Sequence, residues 1–366
     1  MKNSIRLFRR LSALLLLCLT LVSLLPLTAG AAGRNSSLQV RFLDVGQADC
    51  ALILCDGRAM LIDGGNAEDS SLLYSVLKKQ KLDFLDYVIA THPHEDHIGG
   101  LSGALNYAEA GTIYCPTDAY DSKAFRNFAK AAQKRNCAIT VPEPGDHFSL
   151  GSAECRILAV NTHPEDPNNA SIVLRLTYGE TSFLFTGDGE RETEQALLAG
   201  GEELQSTVLK VGHHGSEGAS SYLWLRQVDP EYAVISVGKD NSYGHPTEEV
   251  LSRLRDAEIK TFRTDLQGDI LFESDGKQVI VTVSRNKDAD VFGGIGKTST
   301  RKETEPAPAA PADTGRDYVA NKNTKKFHYP TCYSAGQIKA SNRWDFHGTR
   351  EELIGNGYVP CKKCSP

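Results

Sequence analysis

Four apolar runs in this chain end in the same way, and that recurrence constrains its fold more than any other feature. "LDYVIA" runs into "THPHEDHIGG", Thr91 to Gly100; "TSFLFTGD" closes on Asp188; "STVLKVGHHG" closes on His213 and His214; "YAVISVG" is followed by "NSYGHP", which carries His245. Apolar, β-branched runs of this length are strands. The chain therefore reads as strands with histidines and carboxylates in the loops just beyond them.

Further strands are read at "LQVRFLDVG", "CALILC", "AMLIDGG", "GTIYC", "CRILAV" and "SIVLRLTYG". The "CDGR" between the second and third is a hairpin signal through Asp56-Gly57. Helical periodicity appears in "SSLLYSVLKKQ" and at about 122–135, 190–199 and 247–256. Strands that alternate with helices and also include hairpins point to an α/β layered sandwich rather than a purely parallel sheet.

The ends of the chain have a different character. Residues 1–31 place three arginines before an apolar run, then Pro26 and "AGA". This is a secretory signal peptide cut after Ala31, with an uncleaved anchor as the alternative. No later segment is apolar enough to span a membrane, so the mature protein is expected to be secreted or associated with the cell wall. The main domain is expected over 32–287. Residues 288–316, rich in Pro, Ala, Thr and charge, read as a disordered linker. Residues 317–366 regain aromatic content and form a separate small module.

Cys50, Cys55, Cys115, Cys137 and Cys155 form an odd, irregular set that argues against a disulfide framework, although one or two bridges are compatible with an oxidising compartment. A net charge of −6 provides no global basic field for nucleic acid, so any polyanion site must be local.

Imidazoles and carboxylates are ligands for zinc, manganese or iron, and a His-x-His-x-Asp-His loop can direct them at two neighbouring ions. His92 and His94 face one ion, while Asp96 and His97 turn toward a second. Asp188, in a Gly-flanked turn, suits a carboxylate that bridges both. His213, His214 and His245 compete for the last ligand position. Adjacent residues at a strand end point in opposite directions, so the His213-His214 pair divides its work. His214 is read as the ligand and His213 as a contact to substrate oxygen. Glu95 is expected to be solvated.

These motifs carry a resemblance. "THPHEDHIGG" matches the signature of the metallo-β-lactamase superfamily, and "FLDVGQADCALI", "LIDGG", "SIVLRL", "FLFTGD" and "LKVGHHGS" resemble its branch related to the hydrolase domain of the ComEC/Rec2 DNA-uptake proteins. The likeness runs from about Leu38 to Val283. It implies an αββα sandwich with two divalent metal ions, zinc or manganese, held by His92, His94, Asp96, His97, Asp188 and one histidine of the pair. Many members carry another histidine where this chain has Asn168 and Asn169; the uptake branch resembles this chain in carrying asparagine. An amide is a weaker ligand, so one ion would be held more loosely. Asn169 and Lys210 are candidates for substrate contact, with a solvated strand residue as the other reading of Lys210.

The resemblance implies hydrolysis with Asp96, His213 and His245 as catalytic residues, acting on a phosphodiester polymer such as DNA. One alternative is a phosphorylcholine esterase acting on cell-wall teichoic acid, whose pocket needs an aromatic cage built from residues such as Tyr222, Trp224 and Tyr243. The other is a non-catalytic, metal-dependent binding protein.

In the tail, "KKFHYPTCY" and "GYVPCKKCSP" supply His328-x3-Cys332 and Cys361-x2-Cys364, the spacing of a closed tetrahedral zinc site in a module too small to fold on a core alone. The module resembles the small metal-binding domain of the Ada DNA-repair protein, with His328 in place of that family's first cysteine. Cys361 and Cys364 could instead form a disulfide after export. From Arg316 onward nine Lys or Arg face four Asp or Glu. Such a basic module could hold a polyanionic substrate, DNA or teichoic acid, near the main domain.

Overall fold

The computed structural model describes residues 37–293, 316–330 and 332–361. Residues 1–31, read above as a signal peptide, residues 294–315 of the expected linker and Cys364 lie outside the described residues. The chain divides into two compact units, one ending at Lys297 and the other beginning at Thr298.

The first unit begins with β1 (Leu38–Phe42), β2 (Ala51–Cys55) and β3 (Arg58–Ile62), a meander of antiparallel strands. Asp56 and Gly57, at φ of 51° and 80°, form the tight turn between the last two. Two positive φ values in succession are what a two-residue hairpin requires, which is why Asp-Gly stands there. Helix α1 (Ser70–Gln80) then crosses to β4 (Phe84–Ile89), which runs parallel to β3. Short helices α2 (Glu95–Ile98) and α3 (Leu101–Tyr107) lead to β5 (Glu109–Tyr114), and α4 (Lys123–Lys134) to β6 (Ile139–Thr140). In α4, Ser122 caps the first turn by accepting from the Phe125 amide. Its Ala124, Phe125, Phe128, Ala131 and Ala132 form one buried stripe.

A second sheet repeats the plan. β7 (His147–Leu150), β8 (Ala153–Ala159), β9 (Val173–Tyr178) and β10 (Thr181–Phe185) are antiparallel neighbours. β11 (Val208–Lys210), β12 (Tyr232–Ile235) and β13 (Lys260–Arg263) then add in parallel, by way of α5 (Arg191–Gly200), α6 (Tyr222–Val228) and α7 (Glu248–Asp256). The chain finally returns to the first sheet as β14 (Ile270–Ser274), paired with β1, and β15 (Val279–Val283). The strand orders are β15-β14-β1-β2-β3-β4-β5-β6 and β13-β12-β11-β10-β9-β8-β7.

Three cores define four layers. Phe42, Ile53, Met60, Leu174, Phe183 and Phe272 fill the space between the sheets. Leu73, Leu101 and Phe128 seal one helical layer onto the first sheet. Leu197, Trp224 and Leu254 seal the other onto the second. The architecture is the αββα sandwich that the resemblance implied. Its parallel strands all run toward one edge, where the loops after β3, β4, β10, β11 and β12 gather.

Two points of the sequence reading are corrected here. β13, β14 and β15 were not anticipated. Residues Asp288–Gly293 do not belong to a linker, because Phe292 packs against the core under the second helical layer and the Val291 carbonyl accepts from Arg263. In line with the argument against a disulfide framework, Cys50, Cys55, Cys115, Cys137 and Cys155 form no disulfide. Among the described residues, no helix is long and apolar enough to cross a membrane.

The second unit is a four-stranded sheet with the order β18-β16-β17-β19, from β16 (Arg316–Asn321), β17 (Lys326–His328), β18 (Arg343–Gly348) and β19 (Val359–Pro360). Helix α8 (Arg350–Gly355) starts on a capping box between Thr349 and Glu352. Tyr318, Ala320, Phe327, Leu353 and Tyr358 are the buried members of its core. So small a core needs a further source of stability.

Candidate metal centre

The centre is built from the ends of four strands. β4 leads into an extended stretch, and His94, at φ −69° and ψ 153°, caps the N-terminus of α2. The helical turn then carries Asp96 and His97 back over the strand end. This turn lies close against the loop after β3, where the Gly64 amide donates to the His97 carbonyl at 2.6 Å. A Cβ on Gly100 would collide with the Gly64 carbonyl, which explains the "HIGG" that follows the histidines.

One donor atom from each of Asp96, His97, Asp188 and His214 lies within 4.8 Å of the others. Asp188 Oδ2 is 3.3 Å from His97 Nε2, 3.5 Å from His214 Nε2 and 3.9 Å from His92 Nε2. His92 Nε2 is in turn 3.0 Å from His94 Nδ1. The Asp188 carboxylate thus stands between the His92-His94 pair and the Asp96, His97, His214 group. His97 Nε2, His214 Nε2 and Asp188 Oδ1 are buried with no hydrogen-bond partner. Unpartnered buried nitrogens converging on a carboxylate fit a divalent cation better than they fit a structural network.

The electrostatics agree. Against the cost of burial, the Asp188 and Asp63 carboxylates hold the His97 imidazole well above its ordinary range. His214 is raised to about 10, again against burial, by Asp188 and Asp49. Asp188 is held well below the carboxylate range by His97 and His214 in spite of burial. His92, buried and crowded by His97, is pushed well below 6.5. The site favours positive charge at its middle.

A second ring of residues aims these side chains, and sequence reasoning missed all of them. Asp63 accepts from the Thr91 amide and hydroxyl and lies 2.9 Å from His97 Nδ1. Ser171 Oγ accepts from the Asp188 amide at 3.0 Å and is 3.5 Å from His92 Nδ1. Glu190 Oε1 is 2.8 Å from His213 Nδ1. Asp49 Oδ1 is 3.2 Å from His214 Nδ1, which also reaches the Ser236 carbonyl at 2.9 Å. Partners of this kind fix the tautomer of a ligating imidazole. Three of the four stand in runs already quoted, Asp49 in "FLDVGQADCALI", Asp63 in "LIDGG" and Ser171 in "SIVLRL", and Glu190 lies two residues beyond Asp188, so polar residues within these strand-end motifs were the available signal.

Of the competing histidines, His214 stands in the four-donor group and His213 and His245 do not. His213 Nε2 is 3.7 Å from Asp188 and its side chain is 23% exposed, facing the cleft. The two histidines divide as expected but for a different reason. Both adopt the left-handed conformation, at φ of 47° and 51°, so a tight turn rather than strand alternation separates them. Glu95 is exposed as expected and accepts from the Ala67 amide.

Four other placements are corrected. Lys210 is neither solvated nor open to substrate; it is buried and pairs with Asp49 at 2.8 Å. Asn169 is buried, its Oδ1 accepting from the Glu190 amide and the Thr193 hydroxyl, so Asn168 rather than Asn169 lines the cleft. Trp224 belongs to the core under the helices. The Tyr222 hydroxyl donates to Asp256. Only Tyr243 of the three aromatic residues faces the cleft, so they assemble no cage.

In the second unit, His328, Cys332 and Cys361 bring their donor atoms within 4.8 Å of one another, with Cys332 Sγ 3.6 Å from His328 Nδ1.

An αββα sandwich with a His/Asp centre at its strand ends is the architecture of a metallo-hydrolase fold. Residues 43–239 match the family described as the metallo-beta-lactamase superfamily, and the chain belongs to it. It is 30% identical over 257 residues to ComE operon protein 3 of Bacillus subtilis (strain 168), covering 65% of this chain and 33% of that protein. It is 33% identical over 232 residues to Competence protein ComA of Neisseria gonorrhoeae, covering 63% of this chain and 31% of that protein. Recombination protein 2 of Haemophilus influenzae is 28% identical over 263 residues, or 70% of this chain and 31% of that protein. The chain spans about a third of the length of these relatives. Among solved structures it is similar to the metallo-beta-lactamase fold protein YhfI from Bacillus subtilis, with 14% identity, a TM-score of 0.46, and coverage of 65% of this chain and 100% of that one.

Proposed function

We propose that the first unit is a secreted phosphodiesterase acting on DNA or a related phosphodiester polymer. The observation that carries this reading is the convergence of His92, His94, Asp96, His97 and His214 around the Asp188 carboxylate, in a chain whose relatives are named as competence and recombination proteins.

His92, His94 and Asp188 would hold one divalent cation, zinc or manganese; Asp96, His97, His214 and the shared Asp188 would hold the other. Cations held there would supply an acidified water, its pKa lowered from about 15.7 to about 7, and polarise a phosphoryl oxygen. The chain's own residues supply the rest. Asp96, 32% exposed, has its carboxylate 3.4 Å from His214 Nε2 and can also orient the attacking water and take its proton. With Nδ1 committed to Glu190, His213 presents Nε2 to the cleft. Glu190 and Asp188 raise its pKa against the cost of burial. His213 Nε2 is therefore the proton donor to the departing ester oxygen, so that water adds across the P–O bond with protons balanced. His245 lines the same wall and completes the substrate-facing set.

The His328, Cys332 and Cys361 cluster supports a structural zinc in the second unit, with Cys364 as its fourth ligand. The basic tail would then keep a polyanion close to the hydrolase.

The test is cleavage of single- and double-stranded DNA by the mature protein supplied with Mn²⁺ or Zn²⁺, with Asp96→Ala as control. Metal-dependent cutting absent from the variant supports the reading. Failure of fully loaded protein to cut DNA, RNA or simple phosphodiesters would sink it.

A further inference from the structure

The cleft above the centre has a volume of about 920 Å³. Among the described residues that line it there is no Lys or Arg, while Glu68 and Glu95 stand on its wall. A site meant to track a long polyanion by charge would be lined differently. Tyr243, by contrast, stands in this cleft with 71% of its surface exposed.

Its exposure is not that of a loose loop. The Asn241 side chain holds the turn from within: Nδ2 donates to the Gly238 and His245 carbonyls at 2.9 and 2.6 Å, and Oδ1 accepts from the Tyr243 and His245 amides, each at 3.1 Å. Gln47 on the neighbouring loop accepts from the Gly238 amide at 3.0 Å. One face of the phenol ring lies on His245, with centroids 5.7 Å apart and planes 27° from parallel. The His245 ring stands 5.6 Å from that of His213. His245 is 9% exposed, and its Nδ1 has no partner. A row of rings thus leads from the proposed proton donor to an aromatic face that the protein leaves uncovered.

We propose that Tyr243 is a stacking platform for an unpaired nucleobase next to the scissile phosphodiester, and that it makes the site select single strands over duplex. This rests on the phosphodiesterase reading above. In a duplex each base is covered by its neighbours, and exposing one carries an unstacking cost. An unpaired base can lay its face on the ring without that cost. Stacking tolerates any base, because every base has a π-face.

The test measures binding and hydrolysis together on the full-length, metal-loaded protein. Oligothymidylate is compared with the same strand made abasic, using phosphorothioate-linked versions for fluorescence anisotropy. Tyr243→Ala should weaken the base-bearing strand by about 5- to 150-fold and bring the ratio between the two strands toward one. Tyr243→Phe, which keeps the ring, should preserve that ratio. An unchanged ratio in Tyr243→Ala, a Tyr243→Phe protein that behaves like it, or tighter binding of duplex each overturns the platform. Absence of hydrolysis with Tyr243-dependent, base-dependent binding retained would instead overturn the phosphodiesterase reading and leave the platform standing.

Discussion

Lys210 Nζ lies 2.8 Å from Asp49 Oδ2, and the two side chains are 4% and 7% exposed. The pair sits beneath the metal centre, with the other oxygen of Asp49 3.2 Å from His214 Nδ1. The lysine comes from β11, the strand whose extension carries His213 and His214. One strand therefore supplies both the candidate ligand His214 and the ammonium group that fixes the carboxylate behind it. Against burial, Lys210 and His214 hold Asp49 below its usual range. Asp49 is thus a fixed anion that orients His214.

Removing one partner leaves a buried, uncompensated charge. Lys210→Met should lower the unfolding free energy of the chelated protein by about 3–5 kcal/mol, and adding Asp49→Asn should restore much of the loss. Urea unfolding of the single and double variants measures both. A double variant no more stable than Lys210→Met would show that the pair is not the source of the defect.

Asp188 touches both halves of the centre, so Asp188→Asn should affect all of its metal binding. Ligand-linked stabilisation reaches about 4 kcal/mol at a thousandfold excess over Kd. Chelation should therefore lower the melting temperature of the wild type, and Mn²⁺ or Zn²⁺ should restore it. The variant should show no such rise in its first unit and less bound metal by elemental analysis. A full metal-dependent rise in Asp188→Asn would remove Asp188 from the centre.

The sandwich and its ligand loops were legible because strand periodicity and ligand chemistry coincide in "LDYVIATHPHEDH" and "FLFTGD". The groups behind the ligands were not. Lys210 follows an apolar run and looks like a solvated interruption until β11 is seen to be central, with Asp49 folded against it from a loop far away in sequence. Asn169 was read as a substrate contact because it stands where many relatives of the family carry a histidine, but a short 3₁₀ turn over Pro167–Ala170 buries it instead. β14 was hidden because its partner, β1, lies at the opposite end of the unit. Local pattern reports on faces and turns; long-range pairing decides what is buried.

Glu190 raises the His213 pKa through the hydrogen bond at Nδ1, working with Asp188 against burial. Glu190→Gln should lower it. An acid that must be protonated loses activity as pH rises through its pKa, so the alkaline limb of the rate profile should move to lower pH in Glu190→Gln. His213→Ala should lose about 10²- to 10⁴-fold in rate. A profile unmoved by Glu190→Gln would end the case for His213 as the donor.

In the full chain, Cys361→Ser should release one equivalent of zinc and leave the metal of the first unit in place. Structural zinc in such modules contributes apparent free energies of about 10–16 kcal/mol. The five-residue core of the second unit should then become protease-sensitive while the first unit stays resistant. Limited proteolysis followed by mass analysis reads both. Unchanged zinc content would assign the thiols to other chemistry.

Burial pushes the Cys115 thiol up to about 12, whereas an unfolded thiol ionises near about 8.5. Because the folded value is the higher one, the stability this group contributes is complete below about pH 8.5 and is lost as pH rises toward the folded value, by about 1.4 kcal/mol per pH unit. Cys155, also buried between strands, is shifted in the same direction. Urea unfolding at about pH 8 and about pH 10.5 should show a steep alkaline loss. Cys115→Ala should be less stable at the lower pH, because it leaves a cavity, yet lose less between the two. Equal slopes in variant and wild type would mean that the thiol ionises without unfolding the first unit.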